Sequence, residues 1–107
     1  MTPEGKVKEA IRKYLASKGV WFAGKAPPPV VTGWMYMPLA GPFGVSGIPD
    51  FVGIYKRRPF YVEAKAPGGR PTDIQTIRHE EIRKAGGIVL VVSSVEELET
   101  GMKTVDW

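Results

Sequence analysis

Residues 46–65 read Ser46-Gly47-Ile48-Pro49-Asp50-Phe51-Val52-Gly53-Ile54-Tyr55-Lys56-Arg57-Arg58-Pro59-Phe60-Tyr61-Val62-Glu63-Ala64-Lys65. Two runs rich in β-branched and aromatic residues, Phe51–Tyr55 and Phe60–Ala64, flank the basic stretch Lys56-Arg57-Arg58-Pro59, which is the pattern of an antiparallel hairpin. Pairing Tyr55 with Phe60 sets Val52 opposite Glu63 and Asp50 opposite Lys65. Because strand side chains alternate with a period of two, Asp50, Glu63 and Lys65 then project from one face. A slip of one residue would separate Asp50 from the other two.

Working outward, Thr72 with Gln75 forms a capping box, Ile74, Ile77, Ile82 and Ala85 give the following helix an apolar face, and Gly86 ends it. Ile88–Val92 is a continuous apolar run, read as a strand buried on both faces. The strand–helix–strand unit from Phe60 to Val92 predicts a right-handed crossover with its two strands parallel. Ser94 and Glu97 cap a last short helix carrying Val95, Leu98 and Met102. Upstream, Thr2 caps a helix with Pro3 in its first turn. Val7, Ile11, Tyr14 and Leu15 recur at helical spacing until Gly19. A short strand is expected at Val20–Ala23, a loop around Pro27-Pro28-Pro29, an extended stretch at Trp34–Met37 and a second loop over Pro38–Gly47. The expected fold is α/β, a single domain over 1–107 with a small mixed β-sheet flanked by helices, in the order α-β-β-β-β-α-β-α.

Composition narrows the chemistry. The chain has 107 residues, 43% of them hydrophobic, no cysteine and a single histidine. Disulfides, thiolate zinc sites, cysteine nucleophiles and iron–sulfur clusters are excluded. A metal must be held mainly by oxygen, which favours Mg²⁺ or Mn²⁺. No run has the length of a membrane span, and no apolar stretch of a signal peptide follows Met1, so no membrane partner and no export are expected. The net charge of +4 is uneven: residues 1–85 carry fourteen Lys/Arg against seven Asp/Glu, and residues 86–107 one against four. A basic body suits a polyanion such as DNA, and equally a solvated basic surface.

Two acids and a lysine converging on one face suit phosphodiester hydrolysis. That reaction needs charge stabilised at phosphorus and a water activated at neutral pH. A divalent cation supplies both, and Asp50, Glu63 and the backbone carbonyl of Ala64 are oxygen ligands for it. Lys65 reaches the same pocket as a cationic donor. Glu4 sits on the core-facing side of the first helix, where it either joins this site or complements the helix dipole. Gln75 either orients the attacking water or serves only its capping box. Lys56, Arg57, Arg58 and Arg70 are candidate contacts to a DNA backbone. Other motifs fail: Gly41–Gly47 lacks the Lys-Ser/Thr of a phosphate loop, and Gly44–Ile48 lacks the last glycine of a nucleophile elbow. His79, between Arg78 and Glu80, is expected at the surface.

With these residues in place the chain resembles the VRR-NUC domain of the PD-(D/E)XK nuclease superfamily. The resemblance rests on Glu4, on Gly47-x-Pro49-Asp50, on Glu63-Ala64-Lys65 followed by Ala66-Pro67-Gly68, and on Gln75. It implies a restriction-endonuclease-like core and a DNA endonuclease dependent on Mg²⁺ or Mn²⁺. Asp50, Glu63 and the Ala64 carbonyl become metal ligands, Lys65 the catalytic lysine, Glu4 a helper acting through water on the metal, and Gln75 a positioner of water or metal. It further implies a stand-alone phage or prophage type, in the cytoplasm of a bacterium or infected host. The family's dimeric members that cut four-way (Holliday) junctions make a homodimer acting on branched DNA the leading expectation. A restriction-like or nicking duplex nuclease and a non-catalytic nucleic-acid-binding module are the alternatives. Trp34, Met35, Tyr36, Met37, Leu39 and Phe43 are material for a dimer interface or, equally, for the domain's own core. Pro27–Pro29 matches no motif.

Overall fold

A computed structural model describes residues 1–39 and 44–107. Its elements are α1 (Pro3–Ser17), β1 (Val20–Phe22), β2 (Gly33–Tyr36), β3 (Phe51–Tyr55), β4 (Arg58–Ala64), α2 (Asp73–Lys84), β5 (Ile88–Val92) and α3 (Val95–Lys103). This is the order expected from the sequence. The strands form one sheet in the order β1-β2-β3-β4-β5, with β1–β2 and β4–β5 parallel and the two central pairings antiparallel. Phe43 and part of the glycine-rich loop lie outside the described residues.

One face of the sheet carries the core. Val20, Phe22, Met35, Phe51, Phe60, Val62 and Ala64 pack there against Ile11 and Leu15 of α1 and Leu98 and Met102 of α3. Alternation sends Glu63 to the opposite face, where α2 lies. Gly53 lets β2 and β3 approach: a Cβ there would stand 2.0 Å from the Trp34 carbonyl oxygen. The Pro27–Pro29 stretch acquires a structural reason. β1 and β2 are parallel neighbours, so the chain must return along the strands between Phe22 and Gly33, and it does so without a helix. Trp21 Nε1 donates to the Lys25 carbonyl at one end of this return, and Thr32 Oγ1 donates to the Lys18 carbonyl at the other. Prolines stiffen such a span.

The hairpin register differs from the expected one by two residues. Tyr55 pairs with Arg58, not Phe60, because the turn holds only Lys56 and Arg57, both at positive φ (47° and 70°). Such a two-residue turn matches the twist of the strands it joins. Pro59 therefore belongs to β4, where it is tolerated because the β4–β5 pairing begins one residue later, at Phe60. A shift of two preserves the faces and brings Asp50 opposite Glu63, one step beyond the Phe51–Val62 pair.

Two burial expectations are corrected. β5 is an edge strand, and Val91 keeps 36% exposure, so the strand is not buried on both faces. In α2 the inward stripe is Gln75-His79-Ile82, at i, i+4 and i+7, which leaves Ile77 50% exposed.

Candidate active site

Four segments meet where β4 ends and β3 begins. The loop before β3 is held against α2: Gly47, at φ 81°, lies so close that a Cβ would stand 2.7 Å from the Ile74 carbonyl oxygen. Arg78 Nε donates to the Ser46 carbonyl at 3.0 Å. This presents the buried Pro49 and then Asp50 to the end of β4. There the Ala64 N–H donates to Asp50 Oδ2 at 2.8 Å, tying the acid to the middle residue of Glu63-Ala64-Lys65.

Glu63 is the centre of the cluster and is 1% exposed. Lys65 Nζ lies 3.8 Å from Glu63 Oε2 and 3.9 Å from Glu4 Oε1, joining the sheet to the first turn of α1. Gln75 Nε2 donates to Glu63 Oε2 at 3.5 Å, while Gln75 Oε1 accepts from the Thr72 N–H at 2.9 Å. The two readings of Gln75 are therefore compatible: one end of the amide caps the helix and the other faces the carboxylate. Glu4, Asp50, the Glu63–Lys65 pair and Gln75, from four separate segments of the chain, are linked in one cluster.

Two further residues join them that the sequence reading had missed. Lys8 Nζ stands 3.3 Å from Asp50 Oδ1 and 3.6 Å from Glu4 Oε2. The signal for it was its i+4 spacing from Glu4, which puts both on one side of α1. His79 was expected at the surface, yet it is 2% exposed with Nε2 3.5 Å from Glu63 Oε1. Its signal was the i+4 spacing from Gln75, hidden because the isoleucines of α2 pointed to a different inward face.

Acids and cations alternate in this pocket, and burial perturbs both kinds. Burial, then the adjoining Asp50 carboxylate, pushes Glu63 up to about 8 against the partial relief of Lys65. Burial pulls Lys8 down, but Asp50 and Glu4 outweigh it and leave the ammonium raised. Burial, with Arg83 and Lys65 nearby, holds the His79 imidazole below its usual range.

The basic residues proposed to touch DNA are not gathered here. Lys56 and Arg57 form the β3–β4 turn, at the far end of both strands and so roughly 17–20 Å from Asp50 and Glu63. Arg58, at the same end, donates to the Asp106 carbonyl. Arg70 is exposed on the loop between Lys65 and α2, which leaves β4 at the end where the site lies. Of the proposed interface cluster, Met35 is wholly buried in the core, while Trp34 and Tyr36 are 42% and 45% exposed on the other face. No helix among the described residues is long and apolar enough to cross a membrane.

Neither a family model nor a curated protein matches the chain. A solved structure described as a VRR_NUC domain superimposes on it with a TM-score of 0.72, covering 99% of this chain and 100% of that one at 24% identity. The chain thus shares the fold of that domain, a five-stranded mixed sheet flanked by three helices.

Proposed function

We propose that this chain is an endonuclease dependent on Mg²⁺ or Mn²⁺ that hydrolyses DNA phosphodiester bonds, working as a homodimer on branched DNA such as four-way junctions. The observation that carries the reading is the convergence of Asp50, Glu63 and Lys65 with Glu4 and Gln75. The donor set fits a hard dication. Two neighbouring carboxylates, one of them pushed up to about 8 by burial and by the other, are short of positive charge. Among the described residues no group of three or more His, Asp or Glu side chains could hold a metal alone. Mg²⁺ needs only one or two carboxylates, with water and substrate oxygens completing its shell.

Asp50, Glu63 and the Ala64 carbonyl are the proposed ligands. The ion, when bound, offsets charge on the phosphate and lowers the pKa of water. Lys65 holds the scissile phosphate or the attacking water from the other side, Gln75 orients that water, and Glu4 steadies the Lys65 and Lys8 ammonium groups. The water oxygen bonds to phosphorus, one phosphorus–oxygen ester bond breaks, and the displaced sugar oxygen takes up a proton. Exposed Trp34 pairs across the sheet with exposed Ile54, and the Trp34 and Tyr36 rings lie 6.0 Å apart. This aromatic face supports pairing of two copies, which would set two cutting sites at a fixed spacing.

The test is cleavage of labelled four-way junctions and linear duplex in Mg²⁺ or Mn²⁺, with light scattering of the protein alone. Junctions are expected to be cut on two opposing strands in preference to duplex, by a species of about twice 11.7 kDa. A protein that binds DNA and never cuts it would be a binding module, and a monomer nicking every duplex equally would remove the junction and dimer parts of the reading.

A further inference from the structure

α2 has one fully buried side chain, and it is the chain's single histidine. His79 Nε2 faces Glu63 Oε1 at 3.5 Å, and among the described residues neither atom has a hydrogen-bond partner. Buried polar atoms without partners are rare, since each has given up its water for nothing. An apolar side chain would fill the same space without burying a polar nitrogen against a polar oxygen. Here the two atoms are complementary: an imidazole N–H donates and a carboxylate oxygen accepts.

The arrangement divides the Glu63 carboxylate between its two oxygens. Lys65 and Gln75 both address Oε2. His79 faces Oε1. Gln75 and His79 stand four residues apart on one side of α2, so a single rigid helix addresses both oxygens.

We propose that His79 is a positioning residue, whose Nε2–H donates to Glu63 Oε1 and would hold the carboxylate in a fixed orientation for a divalent cation. The inference rests on the metal-dependent reading above and adds a residue to it. Ligating carboxylates are themselves held by hydrogen bonds that orient them.

Having one histidine makes the test direct. In the parent protein, adding Mg²⁺ should move the imidazole Nε2–H proton resonance downfield and protect it from exchange with water. By calorimetric titration without DNA, His79→Leu should bind Mn²⁺ roughly 10–100-fold more weakly. His79→Gln, whose amide N–H reaches the same oxygen, should recover most of that loss. An Nε2–H signal indifferent to Mg²⁺, or equal Mn²⁺ affinity in the parent and His79→Leu, would overturn the role of His79 while leaving the nuclease reading intact. A parent protein that neither binds Mn²⁺ nor cuts DNA would overturn both. The NMR measurement uses the unaltered chain and decides the matter even if His79→Leu does not fold.

Discussion

Lys65→Ala is expected to lower the rate of DNA cleavage by ~10²–10³-fold while leaving DNA affinity within a small factor of the parent's. The lysine is 8% exposed, and its ammonium is held between Glu63 of β4 and Glu4 of α1. A cation fixed in advance meets charge developing on the phosphate without reorganising, so its removal is felt most in the transition state. Affinity rests elsewhere, on fourteen Lys/Arg spread over residues 1–85, so losing one buried member changes binding little. Asp50→Ala and Glu63→Ala should behave alike in kind. Single-turnover cleavage at saturating protein, beside a filter-binding isotherm, separates the two quantities. Turnover by any of these three variants comparable with the parent's would place the chemistry elsewhere on the molecule.

Stripped of divalent cations, the protein should lose cleavage entirely and become less stable as pH rises. The Glu63 carboxyl titrates ordinarily near 4.5 and in the folded chain at about 8. Between those values the unfolded chain has released a proton that the folded chain retains, so stability falls with rising pH across that window. His79 acts in the other direction and in a lower range. Its folded value lies below 6.5, so the unfolded chain takes up a proton there that the folded chain refuses, and stability falls as pH drops beneath 6.5. Above neutrality the slope is therefore that of Glu63, at most about 1.4 kcal/mol per pH unit. From pH 7 to 8 this is about 1 kcal/mol, or roughly 5 °C in Tm for a domain of this size. A dication favours the ionised carboxylate, so Mg²⁺ should flatten the decline, and Glu63→Gln should abolish it. Scanning calorimetry in EDTA and in Mg²⁺ at the two pH values checks the stability half. Undiminished cleavage in excess EDTA would sink the ligand roles of Asp50 and Glu63.

The fold was legible wherever local chemistry and periodicity agreed. The caps at Thr2, Thr72 and Ser94 each accept the hydrogen bond their sequence position foretold, and the element order follows from them. The hairpin register was not legible, because it depends on two non-glycine residues adopting positive φ, which no propensity favours. The placement of the acids survived that error because the shift was even. His79 escaped notice for a related reason. A histidine among charged neighbours reads as solvated, and only the tertiary placement of α2 shows that the polar stripe Gln75-His79 faces the sheet while Ile74 and Ile77 face outward. Lys8 likewise becomes informative only when α1 crosses the end of β3.

α1 and α3 each drive two side chains fully into the core, Ile11 and Leu15 in one and Leu98 and Met102 in the other. α2 contributes only His79, beside the half-buried Ile82 and hydrogen bonds from Arg78 to the Ser46 carbonyl and from Arg83 to the Val89 carbonyl. Opening free energies follow buried apolar contact, so α2 should detach locally at lower cost than either of the others. Gln75 and His79 ride on it together, and one such event withdraws both from Glu63. In amide hydrogen exchange α2 should therefore exchange ahead of α1 and α3, and Mg²⁺ should slow α2 selectively. Equal protection of all three helices would show that it is bound as firmly as the rest. On this view the readiness of the site is governed by how often a single lightly held helix breathes.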